Sequence, residues 1–364
     1  MKPLFCRIRV RWLVSGMVAA LVGWAVFEWI FAGPVRLVLP GSHGVGTTTF
    51  VIPGGGGVEP LVVQVWYPAE RDAAGVRAPW YPDDALAPGF PFHRMAKARG
   101  RSVTDAPVPA GPDHAIGVIF YEHSWTGHRA ENTALVENLA SRGFVVVATD
   151  HPGQAKHVRY PGGRVVKSEL PETLDFSSAD GVSRFARVAE EALASRSRNL
   201  ARVRQALAAG VVPQLAGRLE LDRLGVLGYS FGGTHALRRC ADDPAFVAGV
   251  NMDGFFLDGR MPGGSFLFID QEMPGWLHDE AQPGEDAGQA MIRRSEARIR
   301  KALASPRCER LVLNGTTHES FCDRLFYCRI PQVARAGNRS TGELHGLLGE
   351  RIAEFFVRAL DLSR

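Results

Sequence analysis

The hydrophobic positions of this chain form short, continuous apolar runs separated by segments of helical character. The runs are rich in Val, Ile, Leu and Phe and are predicted to be strands, at residues 61–67, 115–121, 143–149, 223–228, 246–252, 265–269 and 310–313. Helices are predicted over residues 132–142, 178–207, 234–240 and 343–360. Continuous apolar strands separated by helices indicate an α/β fold, with a mainly parallel sheet covered by helices on both faces.

The remaining segments carry weaker patterns. Residues 34–60 are rich in Gly, Thr and Pro, and the run at 53–57 reads as a hairpin turn. Residues 68–113 contain many Pro and Gly and read as an irregular excursion over the surface. No internal repeat or linker interrupts residues 34–364, so we expect one catalytic domain over that range.

The first 33 residues have the pattern of a membrane segment. An apolar stretch covers residues 12–32 and is interrupted by one charge, Glu28. It is preceded by four bases, Lys2, Arg7, Arg9 and Arg11. In a helix this stretch spans roughly 30 Å, enough for a bilayer core. We therefore expect an uncleaved transmembrane signal anchor with a cytoplasmic basic tip, which places the catalytic domain in the periplasm or cell exterior. A cleaved signal peptide or a buried soluble helix are the alternatives.

Charge and composition narrow the function classes. Residues 1–33 contribute four of the 42 bases but only one of the 38 acids, so the rest of the chain is nearly neutral. A strongly basic nucleic-acid-binding domain is therefore excluded. The 46% hydrophobic and 22% charged content also excludes disorder and a bare coiled coil.

The cysteines bear on redox state and metals. Cys6 lies in the basic tip, and the predicted exported part holds an even set, Cys240, Cys308, Cys322 and Cys328. Disulfides persist outside the cytoplasm, and four cysteines allow three pairings among which the sequence does not choose. None of the pairs has zinc-ligand spacing, so we expect neither a metal nor a cofactor.

A nucleophile motif lies between a predicted strand and a predicted helix. The run Gly228-Tyr229-Ser230-Phe231-Gly232 matches G-x-S-x-G. In such an elbow the Ser lies on a tight strand-to-helix turn and projects at the edge of the sheet. We therefore expect Ser230 to be the nucleophile, with the Phe231 N–H facing the oxyanion that forms during reaction.

A serine nucleophile needs a base and an acid that orients it, in the chain order Ser, Asp or Glu, His. His318 follows the strand at 310–313 through a short loop, whereas His235, His278 and His345 lie in a helix or an acidic loop. His318 is thus the expected base. For the acid, both Asp253 and Asp270 end a predicted strand, and the residues alone leave the two open.

The second oxyanion donor is expected in the loop at residues 123–127, after the strand at 115–121. The backbone N–H of Trp125 is the candidate that faces the Phe231 N–H. His123 is expected to hold this loop rather than to take part in the reaction.

Taken together, these motifs resemble the plasma or type II platelet-activating factor acetylhydrolases. These are α/β-hydrolases close to dienelactone hydrolases and cutinase-like polyester hydrolases. The resemblance covers roughly residues 60–330 and lies in six segments: 118–125 (VIFYEHSW), 143–151 (GFVVVATDH), 228–233 (GYSFGG), 248–253 (AGVNMD), 266–272 (FLFIDQE) and 317–323 (THESFCD). The chain has Ser124 and Thr126 where the oxyanion loop of that family has Gly.

The resemblance implies the α/β-hydrolase fold, a catalytic triad of Ser230, Asp253 and His318, and oxyanion N–H groups on Trp125 and Phe231. Members of the family cleave short or oxidised acyl chains from position 2 of phospholipids without calcium. The expected function is therefore a membrane-tethered serine esterase that acts on a small-molecule or lipid ester without an obligatory protein partner. A general carboxylesterase or polyester hydrolase is the alternative, and an inactive tethered binding protein is a remote one.

Overall fold

The computed structural model describes residues 3–35, 37–83, 86–109, 116–275 and 277–362, without the side chains of residues 3–11 and 13. The helices are α1 Pro3–Ile30, α2 Thr133–Ser141, α3 Ala179–Ala208, α4 Phe231–Asp242, α5 Ala287–Ala302 and α6 Thr341–Ala359. The strands are β1 Gly44–Ile52, β2 Leu61–Ala69, β3 Arg77–Pro79, β4 Arg99–Thr104, β5 Ile116–Glu122, β6 Val145–Asp150, β7 His157–Arg159, β8 Val165–Lys167, β9 Leu219–Tyr229, β10 Phe246–Met252, β11 Ser265–Gln271 and β12 Cys308–Leu313.

Ten of these strands form one twisted sheet in the order β12-β11-β10-β9-β5-β6-β2-β1-β4-β3. The six strands from β12 to β6 are all parallel, and β2 joins β6 in antiparallel register. The hairpin predicted around residues 53–57 connects β1 to β2. A mainly parallel sheet was predicted, and the structure confirms it.

Alternation along the strands separates two apolar layers. In β5, Ile119 and Tyr121 pack with residues of α2 and α6, whereas Val118 and Phe120 pack with residues of α3, α4 and α5. Successive strand side chains point to opposite faces, so a strand that is apolar at every position is buried on both. This arrangement brings the carboxyl ends of β5, β9, β10, β11 and β12 to the same edge of the sheet.

The prediction of an irregular surface excursion at residues 68–113 is wrong for its described part. Strands β3 and β4 extend the sheet beyond β1, and a 3₁₀ turn at His93–Lys97 leads into β4. Trp80, Tyr81 and Met95 are almost completely buried against the main core. The sequence pattern was too short to predict these two strands, because each has six residues or fewer and they include a Gly and a Pro.

The transmembrane prediction for residues 1–33 is not supported. A 28-residue helix, α1, does form, but among the described residues no helix is both long and apolar enough to cross a bilayer. The end of α1 contacts the rest of the protein, since Arg94 pairs with Glu28 and the Phe27 and Phe90 rings stack at 5.7 Å. The location of residues 34–364 outside the cytoplasm stays a prediction.

The four cysteines of the predicted exported part are free thiols in the described structure, so the disulfides that their even number allowed are not formed. Cys240 packs in the apolar layer between α4 and the sheet, and burial raises the pKa of its thiol. The side chain of Cys6 lies outside the described residues.

Candidate active site

The nucleophile elbow is a tight turn at the edge of the sheet. Ser230 lies between β9 and α4 with φ 55° and ψ −121°, a conformation that a residue with a side chain rarely adopts. Two flanking glycines permit it. A Cβ at Gly228 would lie 2.0 Å from the backbone of Gly232, and one at Gly232 would lie 2.0 Å from the Glu122 carbonyl oxygen. The motif therefore forms the turn expected of it.

Three predicted side chains meet at this edge through an unbroken chain of hydrogen bonds. His318 Nε2 lies 3.0 Å from Ser230 Oγ, and His318 Nδ1 lies 2.6 Å from Asp253 Oδ2. Gln271 holds the carboxylate from the other side: its backbone N–H donates to Oδ1 at 3.2 Å and its side-chain amide donates to Oδ2 at 2.9 Å. The carboxylate thus fixes Nδ1–H as the donor and leaves Nε2 to accept from the hydroxyl.

The charges and hydrogen bonds around His318 favour a basic imidazole. Burial of His318 opposes its charged form, but the hydrogen bond and the charge of Asp253 outweigh burial and raise the pKa of His318. Glu319 and Glu131 act in the same direction. A stronger base accepts the serine proton more readily, so the shift suits proton transfer from Ser230.

Asp270, the other candidate acid, has different partners. Its Oδ2 accepts from Arg310 Nε at 2.8 Å, and Arg310 also binds both oxygens of Glu296 at 2.8 and 2.9 Å. Burial raises the pKa of Asp270 to about 6. Since Asp270 and Gln271 are neighbours in β11, their side chains point to opposite faces, and only Gln271 reaches Asp253.

The predicted oxyanion residues lie together beside Ser230. Phe231 is the first residue of α4, whose N-terminus directs free N–H groups toward the site. The Trp125 and Phe231 rings meet edge to face with centroids 4.8 Å apart, and both residues line the same cavity as Ser230.

Glu131 holds the loop that carries Trp125. Its carboxyl group accepts from the Ser124 N–H at 2.5 Å, from the Ser124 hydroxyl at 2.8 Å and from the Tyr121 hydroxyl at 3.0 Å. Burial raises the pKa of Glu131 to about 7. Ser124, which stands where the resembled family has Gly, is therefore used to anchor the loop.

A buried arginine holds the same loop from behind. Arg196 of α3 is completely buried and donates to the His123 carbonyl at 2.6 Å and to the Ser124 carbonyl at 3.1 Å. Its guanidinium group also lies over the Phe231 ring, 4.9 Å from the centroid. In a trans peptide the C=O and N–H groups point in opposite directions, so an anchored Ser124 carbonyl fixes the direction of the Trp125 N–H.

The charge of Arg196 is balanced below the elbow. Glu122 Oε2 lies 3.7 Å from Arg196 Nη1 and accepts from His151 Nε2 at 2.9 Å and His235 Nδ1 at 2.8 Å. Burial lowers the pKa of both histidines, so they act as neutral donors to the carboxylate. His235 therefore faces away from Ser230, as predicted. His123 holds the loop, as predicted, through its Nδ1 contact with the Ser124 oxygen at 2.8 Å.

An apolar cavity of about 420 Å³ opens beside Ser230. Its walls carry five aromatic side chains, Trp125, Phe176, Phe185, Phe231 and Phe255. Ser230, Asp253 and His318 line one end, and Asp270, Glu296 and Arg310 line it as well. A volume of this size, with apolar walls and few polar groups, is typical of a site for a small molecule.

Sequence reasoning missed four residues that shape this site: Arg196, Glu131, Gln271 and Arg310. For Arg196 a signal was present, because it occupies a position of α3 in register with Leu193, Leu200 and Val203, all buried. A charge on the apolar face of an amphipathic helix indicates a buried polar contact. The other three gave no comparable signal, since Glu131 lies in a loop, Gln271 ends β11, and Arg310 lies within the short strand β12.

Two curated proteins are similar to parts of this chain. No family model matches the chain. It is 47% identical over 66 residues to the alpha/beta hydrolase psoB of Aspergillus fumigatus, which is 17% of this chain and 14% of that protein. It is 25% identical over 149 residues to a probable 1-alkyl-2-acetylglycerophosphocholine esterase of Arthroderma benhamiae, 40% of this chain and 33% of that protein. The matched segments thus span a third or less of these curated relatives.

The structural comparison extends over nearly the whole chain. A ferulic acid esterase from Streptomyces cinnamoneus superposes with a TM-score of 0.62 at 22% identity, covering 92% of this chain and 94% of that one. Together with the parallel sheet and the strand–Ser–helix elbow, this likeness identifies the fold. The chain has the α/β-hydrolase fold.

Proposed function

We propose that this protein is a serine esterase that hydrolyses carboxylic esters through an acyl-enzyme. The observation that carries the proposal is the hydrogen-bonded series from Ser230 through His318 to Asp253, with Nε2 3.0 Å from the serine hydroxyl. The esterase and hydrolase names of the similar proteins support the same class of reaction.

The proposed reaction has two halves. Ser230 Oγ attacks the ester carbonyl carbon while its proton passes to His318 Nε2, and the carbonyl oxygen becomes an oxyanion that faces the Trp125 and Phe231 N–H groups. His318 then gives this proton to the departing alkoxide, which leaves as the alcohol. In the second half, water attacks the acyl-enzyme with His318 as its base, which releases the acid and restores Ser230. No residue in this sequence of steps calls for a cofactor.

One side of the site is enclosed and the other is open, and we infer from this difference which side holds the acyl group and which the alcohol. The apolar cavity beside Ser230 is walled by aromatic rings. On the other side of His318 an open depression is lined by polar residues, among them Thr317, Glu319 and Gln332. Because His318 protonates the leaving alcohol, that alcohol departs on the open side, and the acyl group occupies the aromatic cavity.

For the substrate, the first proposal is a phospholipid with a short acyl chain at position 2. It is supported by the motif resemblance and by the acetylglycerophosphocholine esterase name of one relative. A general carboxylesterase or a polyester hydrolase is the second candidate, favoured by the aromatic walls of the acyl cavity, which suit an apolar acyl group. A chain-length series on glycerophospholipids and on simple esters separates them, since a sharp preference for acetyl at position 2 supports only the first.

The reaction class itself is tested with the full chain and with Ser230→Ala. The wild type is expected to hydrolyse 4-nitrophenyl butyrate, and the variant is expected to lose nearly all of this activity, about 10⁴-fold or more, while keeping its melting temperature. Ser183→Ala serves as the serine-to-alanine control, since Ser183 is exposed on α3 and its hydroxyl binds the Ala179 carbonyl of the same helix. A folded Ser230→Ala protein with unchanged turnover would refute the proposal, as would a wild type inert towards every ester.

A further inference from the structure

The aromatic cavity is lined by a carboxylate with one oxygen that no described residue binds. Asp270 is 4% exposed and lines the cavity, and its Oδ2 accepts from Arg310 Nε. Among the described residues no donor binds Oδ1. Oδ1 is not fully enclosed by protein atoms, so it is open to a donor group of a ligand in the cavity.

The hydroxyl and carboxylate groups of Thr234, Ser295 and Glu296, which also line the cavity, are already occupied. The Thr234 hydroxyl donates to the Phe255 carbonyl at 2.8 Å, and the Ser295 hydroxyl accepts from the Phe256 N–H at 2.8 Å. Both oxygens of Glu296 bind Arg310. Asp270 Oδ1 therefore remains as the acceptor for a ligand.

The charges around Asp270 select the kind of donor. Arg310 lies 2.8 Å from Oδ2 and disfavours a cationic group in the same place. The carboxylates of Asp270 and Glu296 disfavour an anion, such as a phosphate or a second carboxylate. A neutral hydroxyl group satisfies Oδ1 without opposing either charge.

The aromatic walls of the same cavity favour an aromatic ring. Phe176 meets Phe185 edge to face with centroids 5.1 Å apart, and Trp125 lies tilted against Phe185 at 5.4 Å. Such rings add edge-to-face or offset contacts when a flat aromatic group packs among them, beyond the apolar area that an alkyl chain would bury.

We propose that Asp270 is the specificity determinant of an acyl subsite for esters of hydroxylated aryl acids, with Oδ1 accepting a hydrogen bond from a hydroxyl group on the aryl ring. This inference rests on the proposed esterase function and, of the two candidate substrates, builds on the carboxylesterase rather than on the phospholipid. It gives Asp270, which the triad leaves unused, a direct contact with substrate.

The test compares two esters that differ by one hydroxyl group, methyl 3-(4-hydroxyphenyl)propanoate and methyl 3-phenylpropanoate. Acid release is followed by titration at pH 7.5, where Asp270, whose pKa burial raises to about 6, is ionised. The wild type is expected to show at least about tenfold higher kcat/KM on the hydroxylated ester, because a site built for a hydroxyl group rejects the analogue that lacks it. The quantity compared is the ratio of kcat/KM on the hydroxylated ester to kcat/KM on the other ester. Both values are measured on the same enzyme preparation, so a partial loss of folded protein cancels in the ratio.

The variants are Asp270→Leu and the isosteric Asp270→Asn, which keeps the proposal testable if the leucine variant does not fold. Both are expected to lower the ratio, to about one for leucine. Asp279→Leu is the control, since Asp279 is a surface acid that pairs with Arg300 at the outer edge of the same charge network, and its ratio should equal that of the wild type.

Three results would overturn the inference while leaving the esterase proposal intact. These are equal kcat/KM on the two esters in the wild type, an unchanged ratio in both Asp270 variants, and a preference for the 4-trimethylammonio analogue over the hydroxylated ester. Absence of turnover on every ester, 4-nitrophenyl butyrate included, would instead refute the proposed function.

Discussion

Replacement of Arg196 by methionine should lower turnover although Arg196 does not line the cavity. The guanidinium group holds the His123 and Ser124 carbonyls and packs on Phe231, so it positions both proposed oxyanion donors. Methionine keeps most of the apolar stem and removes only the charge and its hydrogen bonds. The Ser124–Trp125 peptide then loses one of its two anchors, since His123 still reaches the Ser124 oxygen.

The size of the effect follows from these contacts. Removal of a whole oxyanion donor typically lowers kcat about 10²- to 10³-fold. Because one anchor remains, we expect about a 10- to 100-fold decrease in kcat with KM nearly unchanged. Breaking the buried pair with Glu122 should also lower the free energy of unfolding by about 3 to 5 kcal/mol.

The assay measures kcat and KM for 4-nitrophenyl butyrate at a temperature well below the melting transition of each variant. Arg202→Met is the matched control. Arg202 lies two turns further along α3 and also binds two backbone carbonyls, those of Glu59 and Pro53, but these are far from the elbow in sequence and lie in the β1–β2 hairpin. Arg202→Met should keep the kcat of the wild type.

A second variant separates positioning from loss of stability. In Arg196→Ala, added ethylguanidinium should restore part of the lost kcat, because it fits the vacated space and supplies the same donors. A folded Arg196→Met protein with the kcat of the wild type would refute the positioning argument. Equal losses in Arg196→Met and Arg202→Met would refute it as well.

Three further outcomes are expected. Asp253→Asn should lower kcat about 10³- to 10⁴-fold. In pH–rate profiles the wild-type kcat/KM should fall as pH drops through a His318 pKa above 6.5, and the residual activity of the variant should fall at a lower pH, because the carboxylate no longer raises that pKa. Gly232→Ala should abolish both activity and the native melting transition, since its Cβ would lie 2.0 Å from the Glu122 carbonyl; a native, active variant would contradict the elbow geometry. Burial raises the pKa of Glu131 to about 7, so the protonated carboxyl group stabilises the folded state and this stabilisation is lost as pH rises through 7. Glu131→Gln should remove this pH dependence from the free energy of unfolding, measured with urea at several pH values. The same pH dependence in variant and wild type would disprove the prediction.

The sequence was sufficient to predict the residues that meet at the edge of the sheet, for a physical reason. Ser230, Asp253 and His318 each follow a strand of the parallel sheet, and carboxyl ends of parallel strands lie at one edge. The choice between Asp253 and Asp270 depended on which face each side chain takes. That is decided by strand register and by Gln271, which a strand-end pattern does not encode.

Other features lay beyond sequence reasoning because they depend on tertiary packing. The short strands β3 and β4 gain stability by joining the sheet edge, and local composition there reads as irregular. Arg196 interrupts an otherwise apolar helix face, and only the folded structure shows that it meets the oxyanion loop. The apolar pattern of residues 12–32 predicted a membrane span, which the described residues do not support.

The central claim is that Ser230 is the nucleophile. Its most direct test is reaction of the full chain with a fluorophosphonate, followed by mass spectrometry of the peptides. The account predicts stoichiometric phosphonylation of Ser230, with loss of labelling in both Ser230→Ala and, to a large extent, His318→Ala. Phosphonylation of another residue, or no labelling of a protein that hydrolyses esters, would contradict it.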